Sequence, residues 1–349
     1  VSTFDAFRSN LFDYVENVYA GYVSYSVPLN EKVNLSGGLR TEKTYATGTL
    51  NAYEESLQED PVILDYLSWF PSAGLTWSLS KTQSLSFNYG RRINRPDYNV
   101  LNPFRNQLSE LSIQTGNRNL NPEIVTNLEM GYTLFYMYNL KIGYSRTDNK
   151  ITRLIGPVQQ DDPFYDPKAS SISWDNLATQ TVWSANASLP MRFSKWWESY
   201  FNLGGSHVSN QADYGEGAIV DVKAWSYSLY GQNTFSLPKE FKLQVSGYFS
   251  GPGVWGGVFV YDPNWSLDIG LQREFLKKKL SARLSVNNVF NRFGWRGSSS
   301  FNGLVSYGTG SWDMRFVSIN LKYNFGNQKI KSRKRKTGIE NEKIGRAHV

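Results

Sequence analysis

The chain has 349 residues, of which 40% are hydrophobic and 15% aromatic, with no cysteine and two histidines. Disulfides, thiolate metal sites and cysteine nucleophiles are therefore excluded, and a histidine-based catalytic or metal cluster is nearly so. Most of the net charge of +7 lies at the C-terminus, because residues 326–349 carry eight basic and two acidic side chains. The rest is almost neutral, which argues against a nucleic-acid surface. No apolar stretch approaches the roughly 18 residues of a transmembrane helix.

A period of two in hydrophobicity predicts β-strands along most of the chain. In 69–79, for example, Trp69, Leu75 and Trp77 share one face, and Ser72 and Thr76 share the other. We count thirteen strands in this way, at 15–27, 32–46, 67–79, 83–93, 124–136, 139–150, 174–190, 197–210, 223–237, 241–251, 263–275, 279–291 and 314–326.

The connections between these strands alternate between very short and very long. The short ones lie at 28–31, 80–82, 137–139, 192–195, 238–240 and 276–279, and the long ones near 41–66, 91–123, 150–178, 209–222, 251–264 and 292–313. Tight turns at one end and large loops at the other are typical of outer-membrane β-barrels, whose turns are periplasmic and whose loops are external.

A soluble β-sandwich or propeller is the alternative, since its strands also alternate. The predicted strands exceed ten residues, however, whereas strands of globular proteins most often have about five or six. Aromatic residues such as Trp196 and Trp197 cluster at segment ends, as in interfacial girdles, and the polar faces are rich in Ser, Asn, Gly and Thr, which suit a wet lumen. The sequence therefore predicts an all-β transmembrane antiparallel β-barrel, an up-and-down meander.

The strand count also predicts that the barrel is incomplete. The last strand ends on the short-turn side and the first begins on the loop side, so thirteen strands leave the barrel one short of an even number. We therefore expect at least one strand before Val1, where the sequence also shows no signal-peptide pattern.

The predicted organisation has three parts. Residues 1–326 form the C-terminal portion of the barrel, and 327–343 form a basic, solvated tail on the periplasmic side. Residues 344–349, IGRAHV, match one frame of a common sequencing-adapter oligonucleotide, ATC GGA AGA GCA CAC GTC. They are either an artefact, which we favour, or a genuine C-terminal hexapeptide.

Several ordered motifs carry a family resemblance. YGRRINRPDY at 89–98 is followed by LNPF at 101–104, GNRNLNPE at 116–123, VNNVFN at 286–291 and LKYNFG at 321–326. This set resembles TonB-dependent receptors, specifically the outer-membrane β-barrel family common in Bacteroidota, over essentially all of 1–343. The resemblance implies an outer-membrane location in a Gram-negative bacterium and a barrel of about 22 strands.

The resemblance also implies partners. They are outer-membrane lipid, a plug domain in a missing N-terminal part, a TonB-type energy transducer acting through that plug, and the barrel assembly machinery. A surface lipoprotein is a further candidate. No cofactor and no nucleic acid is expected.

Candidate site residues follow from the motifs. Arg91, Arg92 and Arg95 lie where the fourth strand meets its loop, and their guanidinium groups can bind acidic plug residues or anionic substrate groups. The alternative, which we favour, is loop architecture with an ion-pair network in the lumen. The same loop contributes a further set: Asn102, Phe104, Asn117 and Glu123.

The final strand ends in an aromatic alternation of Tyr323 and Phe325. This ending resembles the last-strand signal that the barrel assembly machinery recognises. The alternative is an interfacial aromatic pair.

Signals for an enzyme are weak. The paired carboxylates Glu54-Glu55 and Asp161-Asp162 lie on long polar loops, where solvated charge is the simpler interpretation, and no histidine is spaced for a triad. We therefore expect that the protein is not an enzyme. We expect it to take part in TonB-dependent import of a bulky nutrient such as a siderophore, oligosaccharide or peptide. The alternatives are a passive porin or adhesin-like barrel and a hydrolase barrel, which would need a His–Ser pair in the lumen. Loops 91–123 and 292–313 are the best candidates for ligand contact.

Overall fold

A computed structural model describes residues 4, 6, 9–158, 165–214, 218–292 and 294–325 of the chain. In this part, nineteen strands accompany one four-residue helix, α1 (Tyr98–Leu101), and a 3-10 turn at Glu55–Leu57. The strands are β1 (Asn10–Pro28), β2 (Val33–Ala52), β3 (Val62–Ser80), β4 (Gln83–Asn94), β5 (Arg105–Ser109), β6 (Ser112–Thr115), β7 (Glu123–Leu134), β8 (Tyr138–Pro157), β9 (Ser170–Arg192), β10 (Trp197–Asp213), β11 (Ile219–Leu237), β12 (Phe241–Ser250), β13 (Gly253–Trp255), β14 (Phe259–Tyr261), β15 (Asn264–Phe275), β16 (Leu280–Asn287), β17 (Gly294–Phe301), β18 (Leu304–Ser311) and β19 (Phe316–Tyr323). No helix of the described residues is both long enough and apolar enough to cross a bilayer.

Thirteen strands form one continuous antiparallel meander. Their spatial order is β1-β2-β3-β4-β7-β8-β9-β10-β11-β12-β15-β16-β19, so each strand pairs with the next predicted strand along the chain. The antiparallel meander and all thirteen predicted strands are thereby confirmed. In the described part of the chain, β1 and β19 are the two edges and do not pair with each other.

The tight turns lie at one end of the meander, as predicted, and all but one begin within one residue of the predicted position. Between β7 and β8 the turn comprises Phe135–Met137, two residues before the predicted 137–139. Phe135 and Tyr136 adopt φ values of 51° and 61°. Bulky side chains are rare at positive φ, so local preference does not indicate a turn at these two residues. The turn prediction was wrong here because the register of β7 and β8 overrides local propensity.

The two faces of the meander differ in chemistry. On β19, Val317, Ile319 and Leu321 project from one face and are 65%, 73% and 67% exposed. An apolar row this exposed suits lipid, so we call this the outer face. The opposite, inner face carries small polar residues.

On the inner face, glycines lie opposite serines of neighbouring strands. A Cβ atom added at any of five glycines would come within 2.6–2.9 Å of a serine Oγ. The pairs are Gly38–Ser72, Gly74–Ser36, Gly131–Ser86, Gly143–Ser184 and Gly204–Ser228. At these five positions the inner wall consists of backbone and hydroxyl groups.

Near the short turns, aromatic rings gather in a band. Trp197 lies opposite Phe235 in the β10–β11 register, and their ring centroids are 5.8 Å apart. Phe193, in the preceding turn, packs on Trp197 at 4.4 Å. Indole and phenyl rings at this height form the interfacial girdle expected of a barrel.

A second aromatic band lies toward the loops. Tyr144 packs on Trp183, and His207 on Trp225, each at 4.7 Å. Just beyond it the outer face carries ion pairs: Lys43–Asp65, Arg146–Asp148 and Asp221–Lys223. On β11, Trp225 and Phe235 are ten residues apart. That separation spans about 33 Å along a strand and roughly 24 Å across a bilayer at 45° tilt, which matches the apolar band of a barrel.

The six remaining strands fold the long connections inward. The β5–β6 hairpin lies parallel to the start of β9, with Ser112 opposite Ser170. Strands β13, β14, β17 and β18 form a second sheet, here called the loop sheet. Its Val258 joins a core with inner-face residues of the barrel wall: Leu154, Leu177, Ala212 and Val220. The sequence placed these connections correctly as loops but did not reveal their hairpins.

Candidate functional site

A cavity of about 860 Å³ lies at the loop end of the inner face, and we call it the loop-side cavity. Its walls come from the ends of β4 and β7, the upper parts of β8 and β9, the β5–β6 hairpin and the loop sheet. Its polar and aromatic lining includes Arg95, Gln114, Lys150, Arg153, Trp174 and Trp255. These groups can bind a ligand through charge-assisted hydrogen bonds and stacking.

Arg95 fastens the start of the β4–β7 loop to the first two strands. Its Nη2 donates to Glu42 Oε2 at 2.6 Å and to Thr44 Oγ1 at 2.9 Å. Its Nε lies 3.2 Å from Glu16 Oε1, an ion-pair distance without hydrogen-bond alignment. Glu42 is 2% exposed and also pairs with Arg40. Arg95 therefore belongs to an ion-pair network on the inner face.

The environment of Arg95 keeps its charge in place. Burial disfavours the guanidinium cation, but the hydrogen bond to Glu42 and the interaction with Tyr66 outweigh that cost. The pKa of Arg95 consequently lies above its ordinary value. Arg95 follows the end of β4 and lies outside the membrane-spanning part of that strand.

Glu123 joins three elements at the base of the cavity. Its Oε1 accepts hydrogen bonds from Lys150 Nζ at 2.7 Å and from the Ile151 backbone at 2.9 Å, and its Oε2 accepts from Asn94 Nδ2 at 3.1 Å. Glu123 is 6% exposed. Its buried carboxylate therefore has the partners that a buried charge requires.

The asparagines of the motif hold the loop in shape. Asn102 Oδ1 accepts from the Phe104 backbone at 3.0 Å, and Asn117 Nδ2 donates to the Trp174 carbonyl at 3.1 Å. A side chain at Gly116 would collide with the Asn102 carbonyl oxygen. Only glycine allows this close approach of two backbone segments. Asn102 and Asn117 therefore brace the wall behind the cavity, and Phe104 is partly buried at the start of the hairpin.

The three arginines of the motif lie in different places. Arg91 is opposite Thr126 and Arg92 opposite Val125 in the β4–β7 register, so their side chains project from opposite faces of β4. Arg91 shares the outer face with Tyr89, and Arg92 shares the inner face with Asn94. Of the three, only Arg95 lines the loop-side cavity.

Sequence reasoning missed Lys150, Arg153, Trp174 and Trp255, all of which line the cavity. The first three lie in the predicted 150–178 loop, where β8 and β9 in fact continue to Pro157 and from Ser170. Asn149 adopts a φ of 56°, which interrupts the alternation of faces that the sequence argument used.

The aromatic pair at the chain's last described strand is well formed. Tyr323 and Phe325 meet edge to face, with ring centroids 4.6 Å apart. They are 44% and 89% exposed. Their position at the short-turn end suits both an interfacial pair and an assembly signal.

Among the described residues, no three His, Asp or Glu side chains come together as metal ligands. Glu54 precedes the 3-10 turn, Glu55 is its first residue, and neither belongs to such a cluster among the described residues. Asp161 and Asp162 lie outside the described residues.

The long strands, the two aromatic bands and the apolar outer face together define a transmembrane β-barrel wall. The chain belongs to the outer membrane protein β-barrel family, whose model matches residues 2–323. It is accordingly an outer-membrane protein of a Gram-negative bacterium. No curated protein matches the chain.

Solved structures share this fold. The ferric yersiniabactin uptake receptor FyuA from Yersinia pestis has a TM-score of 0.61 and 13% identity, covering 91% of this chain and 47% of that one. The FrpB iron transporter from Neisseria meningitidis has a TM-score of 0.57 and 15% identity, covering 89% and 46%. The ferric-catecholate import receptor Fiu from E. coli K12 has a TM-score of 0.56 and 14% identity, covering 90% and 45%. The chain spans about half the length of these receptors.

Proposed function

We propose that this chain is part of a TonB-dependent receptor that imports a bulky nutrient, such as a siderophore, an oligosaccharide or a peptide. One observation carries the proposal. The long connections form hairpins that border an open cavity of about 860 Å³ at the loop end of the inner wall. A cavity of this size, lined by polar and aromatic groups, suits capture of a large ligand. A passive porin would keep an open aqueous channel there.

Receptors with known structures support the same assignment by fold. The three named above are uptake or import proteins for iron or iron complexes. A barrel of about 22 strands leaves a wide lumen, which leaks unless it is filled. We therefore propose that the full-length protein carries a plug domain and receives energy through it from a TonB-type transducer.

The proposal extends to the organisation of the chain. Residues 1–326 would form the C-terminal portion of the barrel, and 327–343 a solvated tail in the periplasm, with 344–349 an adapter-derived artefact. Tyr323 and Phe325 would serve the barrel assembly machinery. A surface lipoprotein that hands over the nutrient would dock on the loop side.

The test is uptake by cells that carry the full-length gene product, with and without a working TonB system. Labelled ferric siderophores, oligosaccharides and peptides would form the panel. We expect accumulation of one class only when the TonB system works. Uptake that is equal in both strains would favour the porin alternative.

A cavity variant provides a second arm of the same test. Trp255→Ala removes an indole that is 59% exposed and lines the cavity. Trp77→Ala removes an indole of the outer face of β3 that is 43% exposed and does not line the cavity. We expect the first variant, and not the second, to weaken nutrient capture while barrel levels in the outer membrane stay the same.

A further inference from the structure

The positively charged residues that line the loop-side cavity differ in whether a carboxylate pairs with them. Arg95 is paired with Glu42, and Lys150 with Glu123. Arg153 also lines the cavity, yet among the described residues no carboxylate forms an ion pair with it. Arg153 is thus the one cation of the cavity wall, within the described part of the chain, whose countercharge is missing.

The position of Arg153 is fixed by backbone contacts. Its backbone N–H donates to the Gly256 carbonyl of the loop sheet at 3.2 Å. Across the strands it is opposite Trp174 in the β8–β9 register. Arg153 therefore lies on the cavity wall where β8 meets the loop sheet, with Trp174 as its cross-strand neighbour.

Burial without a countercharge disfavours the cation. Arg153 lies beyond the Arg146–Asp148 pair that ends the apolar band, and so outside the membrane-spanning part of β8. Burial lowers the pKa of its guanidinium from the ordinary value, with no opposing interaction. An anionic group entering the cavity would remove this cost and could bind the guanidinium in bidentate fashion.

The carboxylate of Asp97, which also lines the cavity, already accepts hydrogen bonds from a neighbouring residue. Asp97 Oδ1 accepts from the Asn99 backbone at 2.9 Å and from Asn99 Nδ2 at 2.8 Å, and so caps helix α1. Trp174 and Trp255 add two aromatic surfaces near Arg153. A cavity whose wall carries a guanidinium and two indoles suits a ligand that is both anionic and planar.

We propose that Arg153 is a specificity-determining residue that binds the oxyanion group of a planar, conjugated organic anion. This inference rests on the proposed role of the cavity in ligand capture. A neutral oligosaccharide would bring no countercharge to Arg153, which has no ion-pair partner among the described residues, so the proposal narrows the nutrient class.

Two probes with one ring system and opposite charge test the idea: 2-naphthalenesulfonate and 2-naphthylmethylammonium. Their binding to the purified full-length gene product in a neutral detergent is measured by titration calorimetry. We expect the sulfonate alone to bind. Arg153→Gln should weaken that binding roughly 10- to 100-fold, as expected for charge-assisted hydrogen bonds, and Arg153→Lys should weaken it less.

Arg146→Gln is the matched control. It removes the same charge from the same strand, but on the outer face, where Arg146 pairs with Asp148 at 2.9 Å. This variant should bind the sulfonate like the wild type. Equal sulfonate affinity in wild type and Arg153→Gln, equal binding of both probes, or no sulfonate binding by the wild type would each overturn the proposal.

Transport separates this inference from the proposed function. If uptake needs TonB but is unchanged in Arg153→Gln, the anion inference fails and the receptor assignment stands. If uptake does not need TonB while the sulfonate still binds through Arg153, the receptor assignment fails and the anion site stands.

Discussion

Replacing Glu123 with alanine should cost the barrel much more stability than replacing Glu129, another acidic residue of β7. Glu123 is 6% exposed and accepts hydrogen bonds from Lys150, Ile151 and Asn94. Its removal leaves an ammonium and a backbone N–H without their acceptor inside the wall. Breaking a buried ion pair in this way costs about 3–5 kcal/mol.

Glu129 is the matched control. It lies on the inner face of the same strand and pairs with Lys141 at 3.3 Å, but the two side chains are 41% and 57% exposed. An exposed pair contributes about 0–1 kcal/mol, so Glu129→Ala should be close to neutral. The measurement is urea unfolding in lipid vesicles, followed by tryptophan fluorescence, for wild type and both variants.

A double variant tests the reason for the loss. Glu123→Leu with Lys150→Met replaces both charges by apolar groups and should recover most of the lost stability, because no charge is then left without a partner. Equal losses in Glu123→Ala and Glu129→Ala would refute the argument from burial. So would a loss under about 1 kcal/mol for Glu123→Ala.

Three further predictions concern the loop and the tail. Gly116→Ala should displace the loop around α1 and raise its rate of protease cleavage, whereas Gly90→Ala, with open space at its Cβ, should leave that rate unchanged; equal rates would contradict the close approach seen here. Arg95→Gln should destabilise the barrel by about 3 kcal/mol, because Glu42 loses a partner, and Arg92→Gln should change stability by less than about 0.5 kcal/mol in the same unfolding assay. A similar loss in both would show that the Arg95 network is not structural. Trypsin should cut residues 327–343 in opened spheroplasts and not in intact cells, and cleavage from outside would overturn the assigned orientation.

Most of the barrel wall was predictable because its physics is periodic. A strand between lipid and lumen must alternate apolar and small polar side chains, and segments such as β3 and β19 do so without interruption. The loop hairpins were not predictable in this way. β13 and β14 have three residues each, too few to show a period, and they are held by contacts with distant strands.

The candidate site was predictable only in part. The motif directed attention to Arg95 and Glu123, and both lie at the loop-side cavity. Lys150 and Arg153 were not predicted as site residues, because Asn149, just before them, breaks the alternation of strand faces. The contact of Arg153 with Gly256 joins two loops far apart in sequence, and no local pattern encodes such a contact.

The glycine–serine pairs of the inner wall have a consequence for the size of the passage. Gly74 lies opposite Ser36 and Gly204 opposite Ser228, and the side chains of Asn88 and Asn186 lie next to these pairs. The clearance at that height is therefore determined by how many strands surround it, by how they tilt, and by its longer side chains, such as Glu129 and Lys141. A molecule below the loop-side cavity meets hydroxyl, amide and peptide groups along this stretch, together with the exposed Glu129–Lys141 ion pair. Mutations at the loop-side cavity can thus change its ligand specificity without altering the inner face below it.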